Sequence, residues 1–370
     1  MPAVLRQEFH LVGLWVGAAA IYFAHGAALA DAGAALNWLR FAVFFAAILW
    51  GAFAVVRHAE ALAHRLGEPY GTLVLTLAVT AIEVAFIVSA TLAGKGGETL
   101  ARDTVFAVLM ITLNGLTGLC LLIGGFRYGE QEHNLQGTRS YLAVIVPVAV
   151  LALILPNFTT TKPGPYLTVF QSAIIAILVL ALYGVFLLVQ TVRHAQFFQE
   201  PGVRKARARR QTAVEAPGLR SEIFWHAGVL ALTLLPVVYL AEELAGQTSR
   251  EFAALGAPAA LAGVVIAILV LSPEGMGALR AASGNEIQRA INIVLGSAVA
   301  TVGLTIPAIL AINIGSARDI ALGLAPEEMV LLALTFLVTP FTFGSLRTNV
   351  LVGAVHFVLF VVFIALIFDP

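Results

Sequence analysis

The sequence predicts an all-α polytopic membrane protein that crosses the bilayer about eleven times. Of its 370 residues, 60% are hydrophobic and only 11% are charged, whereas a soluble domain carries roughly 25% charged residues. The apolar residues form continuous runs of about 20 residues, the length of a transmembrane helix, rather than the short alternating runs of a β-barrel. We therefore expect one extra N-terminal helix followed by two inverted repeats of five helices.

The charge balance argues against a nucleic-acid partner, and the cysteine content excludes a disulfide within the chain. The 21 Lys and Arg residues balance the 21 Asp and Glu residues, so the formal net charge is zero at pH 7. Nucleic-acid-binding proteins carry basic surfaces, and the balanced charge predicts no such partner. The single cysteine, Cys120, lies in an apolar run and cannot form a disulfide within the chain.

The N-terminal segment, residues 1–36, is expected to hold a transmembrane helix over 10–30. Ala28-Leu29-Ala30 before Asp31 resembles a signal-peptidase site after an apolar segment. The apolar run is nevertheless of spanning length, and its positive flank is a lone Arg6. These two features favour a helix that is retained.

The rest of the chain divides into a first five-helix repeat over 37–192, a basic linker over 193–222 and a second repeat over 223–370. The last two helices are separated by little more than residues 344–347 and should form a tight hairpin. Apolar runs of spanning length place the ten helices at 37–57, 70–93, 104–126, 141–158, 166–192, 223–245, 256–281, 287–312, 327–346 and 349–368.

The linker predicts the orientation of the protein. It contains the basic stretch Arg204 to Arg210, and loops rich in Lys and Arg stay in the cytoplasm; such a stretch can also bind lipid headgroups. With eleven helices, a cytoplasmic linker places the N-terminus inside and the C-terminus outside. Only six Lys and Arg residues then fall on the outer side: Arg40, Lys95, Arg102, Lys162, Arg250 and Arg318.

Short sequence echoes support the two repeats. Five helices per repeat make the two repeats enter the membrane from opposite sides. Residues 59–63 (AEALA) precede the third helix and residues 241–245 (AEELA) precede the eighth. Gly115-Leu116-Thr117 and Gly303-Leu304-Thr305 then lie on the next helix of each repeat.

Two acids inside apolar helices, Glu83 and Glu274, are the candidate site. A carboxylate at membrane depth costs at least a few kcal/mol and marks a functional site by default. Paired helices of inverted repeats cross near the midplane, so we expect the two acids to meet there. Two carboxylates can bind a cation or hold protons, and this competition is the basis of an antiporter.

Neutral oxygen atoms near the acids could complete a cation cage, as hard cations prefer oxygen ligands. Pro273, directly before Glu274, removes a backbone donor and can free a carbonyl at membrane depth. The Ser and Thr candidates can instead serve in packing or bind their own helix backbone. The neutral candidates are Thr76, Thr80, Asn114, Thr117, Ser297 and Thr301.

Other acids have more ordinary interpretations beside a functional one. Glu60, Glu242 and Glu243 lie near predicted helix ends; they are candidate access-path acids or side chains that simply reach water. Residues 130–133 (EQEH), with their two glutamates and histidine, are expected to be solvated in a loop. Even a buried glutamate can be a purely structural tie between two helices.

Five stretches together resemble the calcium/proton exchanger family of the cation/calcium exchanger superfamily. The segment 124–134 (GGFRYGEQEHN) is similar to the family's loop after the fourth helix and is the most specific of the five. The resemblance covers about residues 55–365. The other four stretches are 60–71 (EALAHRLGEPYG), 155–158 (LPNF), 241–244 (AEEL) and 295–298 (LGSA).

The resemblance implies an eleven-helix fold, alternating access and a cation bound by Glu83 and Glu274. The family's signature carries an Asn three residues before each glutamate, whereas this chain has Thr80 and Leu271 there. A basic linker also replaces the acidic stretch of some members, as is typical of the bacterial calcium (sodium, potassium)/proton antiporters. Fewer amide oxygens weaken the case for calcium selectivity.

The leading hypothesis is therefore a secondary cation/proton antiporter of the bacterial inner membrane, with Ca²⁺, or alternatively Na⁺ or K⁺, exchanged for H⁺. It needs no cofactor, and its partners are the cation, protons and membrane lipid; a homo-oligomer is possible. An intramembrane enzyme is disfavoured because the sequence lacks His-Glu-x-x-His and Gly-x-Ser-x-Gly. A channel is disfavoured because polar rings would line its whole path.

Overall fold

In the computed structural model, the described residues are 8–24, 34–66, 70–92, 98–199, 219–316 and 319–369. Within these ranges the chain forms eleven helices, as the sequence predicts. Eight of them are long and apolar enough to span a membrane. In chain order, the helices are α1 (Phe9–Ala24), α2 (Ala34–Leu66), α3 (Tyr70–Leu92), α4 (Leu100–Tyr128), α5 (Leu135–Phe158), α6 (Val169–Arg193), α7 (Leu219–Ala254), α8 (Ala260–Ser283), α9 (Ile287–Gly315), α10 (Pro326–Thr342) and α11 (Val350–Phe368).

Several predicted helix boundaries were wrong. Helix α2 continues to Leu66, beyond the predicted end at 57, and α7 continues to Ala254, beyond the predicted 245. The apolar runs end earlier because polar side chains emerge into water there, but polar residues do not stop a helix. Helix α5 begins at Leu135 rather than at 141, because the Asn134 side chain caps its first turn.

The predicted tight hairpin after α10 contains a short strand instead. Helix α10 ends at Thr342, four residues earlier than predicted, and Arg347–Thr348 forms strand β2. Strand β2 pairs antiparallel with β1, Gln131–Glu132, in the loop after α4. This two-stranded sheet joins the two halves of the chain and is too short to show as a pattern in the sequence.

Two π-helical turns interrupt the long central helices at matching places. Residues Ile111–Leu116 form the turn in α4, and Thr301–Thr305 form the one in α9. These turns overlap the two Gly-Leu-Thr echoes of the sequence. Because π turns are rare and frequent at functional sites, they direct attention to the point where α4 and α9 contact each other.

Loops that follow even-numbered helices meet on one side of the bundle, here called the linker face. There Arg65 at the end of α2 pairs with Glu222 at the start of α7, and Gln131 bonds Asn285 of the α8–α9 loop. Loops that follow odd-numbered helices meet on the opposite face. The pairs there are Lys162 with Asp319, Tyr166 with Glu98, and Arg102 with the carbonyl of Gly323.

The linker is folded where the structure describes it. Residues Ala195–Phe198 form a 3₁₀ turn that packs on α5, and the Phe198 carbonyl accepts a hydrogen bond from Asn292 of α9. Helix α6 ends at Arg193, next to the predicted start of the linker at 193. The basic stretch Arg204 to Arg210 lies outside the described residues.

Helices from the two halves of the chain alternate throughout the bundle. Helices α4 and α8 form the most extensive contact, and α4 with α11 and α2 with α7 follow closely. Helix α3 packs on α9 while α8 packs on α4, and α6 packs on α9 while α11 packs on α4. Two helices of spanning length, α4 and α9, are consequently the most buried, and they form the centre of the molecule.

Candidate cation and proton site

Glu83 lies buried at the centre of the bundle. It sits nine residues before the end of α3 at Leu92, and only 3% of its surface is exposed. Both of its carboxylate oxygens accept hydrogen bonds from α9. Thr301 Oγ1 lies 2.8 Å from Oε2, and Thr305 Oγ1 lies 3.1 Å from Oε1. Because a buried charge is costly unless its oxygens are satisfied, these two hydroxyls make an ionised Glu83 tolerable.

The π-helical turn of α9 presents both threonines to α3. Thr301 and Thr305 are the first and last residues of that turn, and residues four apart lie on the same face of a helix. Thr301 was a candidate from the sequence. Thr305 was not assigned to the site, although the Gly-Leu-Thr echo and its spacing from Thr301 could have identified it.

Glu274 holds the corresponding position on α8, nine residues before the helix ends at Ser283. The Ser297 hydroxyl of α9 lies within hydrogen-bonding reach of its carboxylate. Its Oε2 atom is buried and has no hydrogen-bond partner among the described residues. Such buried unsatisfied oxygens are rare in proteins and call for an explanation; an oxygen reserved for a cation or a proton supplies one.

One helix, α9, reaches both acids of the candidate site. Glu83 comes from the first half of the chain and Glu274 from the second, and α9 donates hydroxyls to both of them. Successive turns of α9 therefore carry hydroxyls to an acid from each half of the chain: Ser297 to Glu274, and Thr301 and Thr305 to Glu83.

Two further sequence candidates lie on α3. Thr80 precedes Glu83 by one helical turn and is 4% exposed, so it is buried beside the acid. Thr76 is also part of α3, but its side chain lies outside the described residues. Both stay predictions as cation ligands.

Asn114 is engaged elsewhere in the described structure. Its amide nitrogen lies 2.9 Å from the Thr335 hydroxyl of α10, and its amide oxygen lies 3.0 Å from His356 Nδ1 of α11. His356 Nε2 in turn contacts the Thr342 hydroxyl at 2.9 Å. Asn114 thus joins α4 to α10 and α11 in a buried polar network, which the sequence analysis missed because Asn114 is more than 200 residues from its partners.

Thr117 and Pro273 also have local roles. The Thr117 hydroxyl donates to the carbonyl of Thr112 on its own helix at 2.8 Å, which is the backbone alternative considered for such residues. Pro273 is buried within α8, and the helix continues through it to Ser283. It withholds the N–H that the carbonyl of Leu269 would otherwise receive.

The candidate access-path acids lie at different depths. Glu242 of α7 accepts a hydrogen bond from Ser89 of α3 at 3.1 Å, between Glu83 and the opposite face. Glu243 is half-buried beside it, whereas Glu60 is exposed near the linker-face end of α2. Of the three, Glu242 has the clearest contact with the helix that carries Glu83.

The loop after α4 is only partly solvated, contrary to the sequence prediction. Glu130 and Glu132 are exposed and pair with Arg347 at 3.2 Å and 2.9 Å. His133, however, is only 1% exposed, and its ring meets Phe343 edge-on. Burial lowers the pKa of His133 to about 4. The histidine is buried because the pairing of β1 with β2 draws the loop under α10.

An acidic cavity of about 230 Å³ lies at the opposite face between α4, α8, α10 and α11. Asp103, Glu327 and Glu328 line it together with Arg102. Asp103 is paired with Arg102 at 2.8 Å. The surplus of acids favours cations over anions at this opening, a feature that the sequence analysis did not identify.

Comparison with known proteins identifies the family. The sodium/calcium exchanger protein family matches residues 36–192 and 225–368. The chain belongs to this family. Its two matched segments coincide closely with the predicted repeats at 37–192 and 223–370.

Named relatives and solved structures are consistent with this membership. A putative ionic transporter, y4hA, of Sinorhizobium fredii (strain NBRC 101917 / NGR234) is 46% identical over 87% of this chain and 86% of its own length. The sodium-potassium/proton antiporter ChaA of Escherichia coli (strain K12) is 37% identical over the same shares of the two chains. The structure of native YfkE has a TM-score of 0.68 at 19% identity, covering 92% of this chain and 98% of that one, and shares the fold.

Proposed function

We propose that this family member is a secondary antiporter that exchanges a metal cation for protons at Glu83 and Glu274. The observation that carries the proposal is that hydroxyls of one helix, α9, reach two carboxylates buried in apolar helices, one from each half of the chain. A relative at 37% identity is named a sodium-potassium/proton antiporter. Neither the site nor the family calls for a cofactor, and the protein acts as a transporter rather than an enzyme.

Exchange follows from competition at shared oxygens. A carboxylate that holds a proton offers no negative charge to a cation, and a bound cation disfavours protonation of the same group. Glu83 and Glu274 therefore alternate between a protonated and a cation-bound state. The hydroxyls of Thr301, Thr305 and Ser297 donate to the ionised acids, and their oxygens can ligate the cation.

Alternating access is proposed to come from two inverted repeats, α2–α6 and α7–α11. Helix contacts support this arrangement, since each contact of α9 with a first-half helix has a counterpart of α4 with a second-half helix. The aligned glycines support it as well. A Cβ on Gly303 would lie 2.5 Å from the Tyr183 ring of α6, and one on Gly115 would lie 3.1 Å from the Phe360 ring of α11.

The two faces offer routes to the site. We assign the linker face to the cytoplasm on the basis of the basic linker, which puts the N-terminus inside and the C-terminus in the periplasm of a bacterial inner membrane. The acidic cavity and Glu242 would then lead from the periplasm, and Glu60 would lie at the cytoplasmic end. Membrane lipid surrounds the bundle, and a homo-oligomer is compatible with it.

Calcium is the first candidate for the cation, because two carboxylates can balance a divalent charge and three hydroxyls add neutral oxygens. Sodium or potassium is the alternative. Two observations favour it: the Escherichia coli relative is named for these ions, and Thr80 and Leu271 stand where the exchanger signature has Asn.

Everted membrane vesicles with a pH-sensitive dye test the proposal. Addition of the transported cation should collapse an imposed proton gradient, and Ca²⁺, Na⁺ and K⁺ are tried in turn. The apparent cation affinity should fall as the pH drops, by up to about tenfold per pH unit for each proton displaced, or ~1.4 kcal/mol. A cation affinity that does not change over roughly pH 6.5–9 would contradict the shared site.

A further inference from the structure

A second cluster of potential metal ligands, which shares no residue with the Glu83 and Glu274 site, lies toward the linker face. It joins Glu8, just before α1, with His10 of α1 and His58 of α2. His10 and His58 are each only 2% exposed and Glu8 is 10% exposed. One ligand atom from each side chain lies within 4.8 Å of the other two. We name these three residues the Glu8/His10/His58 cluster.

One nitrogen of Arg57 occupies the point on which the three ligand atoms converge. Its Nη2 atom lies 3.2 Å from Glu8 Oε2, 3.3 Å from His58 Nε2 and 3.5 Å from His10 Nδ1. A guanidinium nitrogen has two N–H donors for these three atoms and no acceptor. It can therefore donate only to an imidazole nitrogen that carries no proton. When His58 Nε2 carries its proton, it donates instead to Glu8 Oε2, which lies 3.1 Å away.

The outer nitrogens of both rings have hydrogen-bond partners. His58 Nδ1 lies 2.9 Å from His226 Nδ1 of α7. His10 Nε2 lies 3.4 Å from Thr233 Oγ1, whose own hydroxyl hydrogen goes to the Val229 carbonyl. Metal-binding histidines are held in the same way, with the second ring nitrogen donating to a neighbouring group.

The spacing of the ligand atoms fits a tetrahedral transition-metal ion. Zinc bonds of 2.0–2.1 Å to nitrogen and oxygen imply about 3.3 Å between neighbouring ligand atoms. Glu8 Oε2 lies 3.1 Å from His58 Nε2 and 3.6 Å from His10 Nδ1. Two imidazoles and one carboxylate form the ligand set of three-residue zinc sites that keep a fourth position for water.

We infer that the Glu8/His10/His58 cluster binds a divalent transition-metal ion of the zinc class, which displaces Arg57. The Arg57 side chain is 53% exposed, so it can turn into water when the ion takes its place. The imidazole ligands favour zinc-class ions over Ca²⁺, Na⁺ and K⁺, which prefer oxygen. The ion would tie α1 to α2 and would act on stability or regulation, independently of the transport site.

Zinc binding to the purified, tag-free protein tests the inference. The Glu83→Gln variant serves as the background, so that the proposed transport site is disabled. We expect one saturable Zn²⁺ site per chain by calorimetric titration, and a higher unfolding midpoint with Zn²⁺. Glu8→Gln and His58→Asn should weaken binding at least a hundredfold, and His226→Ala about ten- to hundredfold as a loss of outer support.

Arg57→Ala provides the most discriminating result. Removing the competing guanidinium should tighten Zn²⁺ binding, whereas in a purely structural hydrogen-bond network its removal would not. Glu222→Gln and His194→Asn are matched controls that remove an exposed acid and a histidine outside the cluster; they should leave Zn²⁺ affinity unchanged. Each variant is first checked for its unfolding midpoint without Zn²⁺.

Three results would overturn the inference. The first is the absence of Zn²⁺ binding to folded protein. The second is binding that persists at full affinity in Glu8→Gln and His58→Asn. The third is an Arg57→Ala variant that is folded but binds Zn²⁺ no more tightly than its background. None of them bears on cation/proton exchange, which the vesicle assay measures separately.

Discussion

Glu83 and Glu274 hold corresponding positions, each nine residues before the end of its helix, yet their surroundings differ. Both oxygens of Glu83 accept hydrogen bonds from Thr301 and Thr305. Glu274 has Ser297 nearby, and its Oε2 is left without a partner among the described residues. The first acid is held in place, and the second keeps an oxygen available.

The difference arises on the two central helices. Aligning Gly115 with Gly303 sets Thr301 of α9 against Leu113 of α4, which has no hydroxyl to donate. Thr305 is matched by Thr117, but that hydroxyl binds the backbone of its own helix. The two halves therefore share their acids and their π turns, but only the second half supplies donors to the acid of the other half.

Replacing either acid should have the largest effect. Glu83→Gln and Glu274→Gln each remove a charge needed for the cation and a group needed for the proton. We expect each to abolish exchange in dye-loaded everted vesicles while leaving the protein in the membrane. Glu60→Gln, which changes an exposed acid, should do much less.

Near-normal exchange of every tested ion by one of the two variants would assign that acid a structural role. The two acids would then not be equivalent, because only one half of the molecule would contribute a carboxylate to exchange. An exposed acid at the α8–α9 connection offers a neutral control. Glu286→Gln loses only a surface pair with Arg289 at 2.9 Å, and such pairs contribute about 0–1 kcal/mol.

Removing the threonine hydroxyls should have the next largest effect. Thr301→Val and Thr305→Val keep side-chain shape but delete a hydrogen bond to a charged group, worth about 1.5–3 kcal/mol. We expect apparent cation affinity to fall about tenfold or more in each variant. The measurement is the cation concentration that gives half-maximal dye response in vesicles.

Thr117→Val is the matched control for this prediction. It makes the same chemical change at the corresponding place on α4, where the hydroxyl serves only its own helix. Equal losses of cation affinity in Thr117→Val and Thr305→Val would show that both hydroxyls act through helix geometry. The hydrogen bonds to Glu83 would then not explain the difference between the two acids.

A third prediction concerns a buried histidine outside the site, in a loop of the first half of the chain. The loop after α4 buries a histidine, and burial lowers the pKa of His133 to about 4, from about 6.5 in an unfolded chain. Between these values the unfolded state binds more protons, so stability should be full above pH 6.5 and decrease as the pH falls toward 4. The loss is at most about 3 kcal/mol.

Thermal unfolding in detergent from pH 7.5 to pH 5 measures this effect. His133→Asn cannot titrate, so its unfolding midpoint should change less with pH than that of the parent protein. His194→Asn, which removes a histidine stacked on Phe197, should keep the parental slope. Parallel curves for the parent and His133→Asn would show that the buried ring does not control stability.

The smallest expected effect is on ion preference. Thr80→Asn together with Leu271→Asn restores one amide oxygen beside each acid, and hard divalent ions bind more tightly as oxygen ligands are added. We expect the calcium-to-sodium preference in vesicle exchange to rise by roughly a few-fold, an increment smaller than that of one charged hydrogen bond. An unchanged ratio in a folded double variant would remove the role assigned to these positions.

Much of the fold followed from local properties of the sequence. Each apolar run long enough to cross the bilayer became a helix, because an unpaired backbone in lipid is too costly for any other structure. The wrong predictions concern helix ends and loops, where the backbone can also bond to water and the lipid no longer requires a helix. Helices α2 and α7 continue beyond their apolar runs, and the loop after α4 buries His133 by pairing with a strand more than 200 residues away.

The sequence by itself determined the number of helices and the two acids, because hydrophobicity and a charge within an apolar run are local signals. Only the tertiary structure decided which side chains surround each acid. Thr301 and Thr305 reach Glu83 from more than 200 residues away, Asn114 turns to α10 and α11, and the Glu8/His10/His58 cluster forms where α1, α2 and α7 meet. Such partners are set by helix packing. The periodicity of a helix shows which of its faces is apolar, but it does not show which other helix packs against that face.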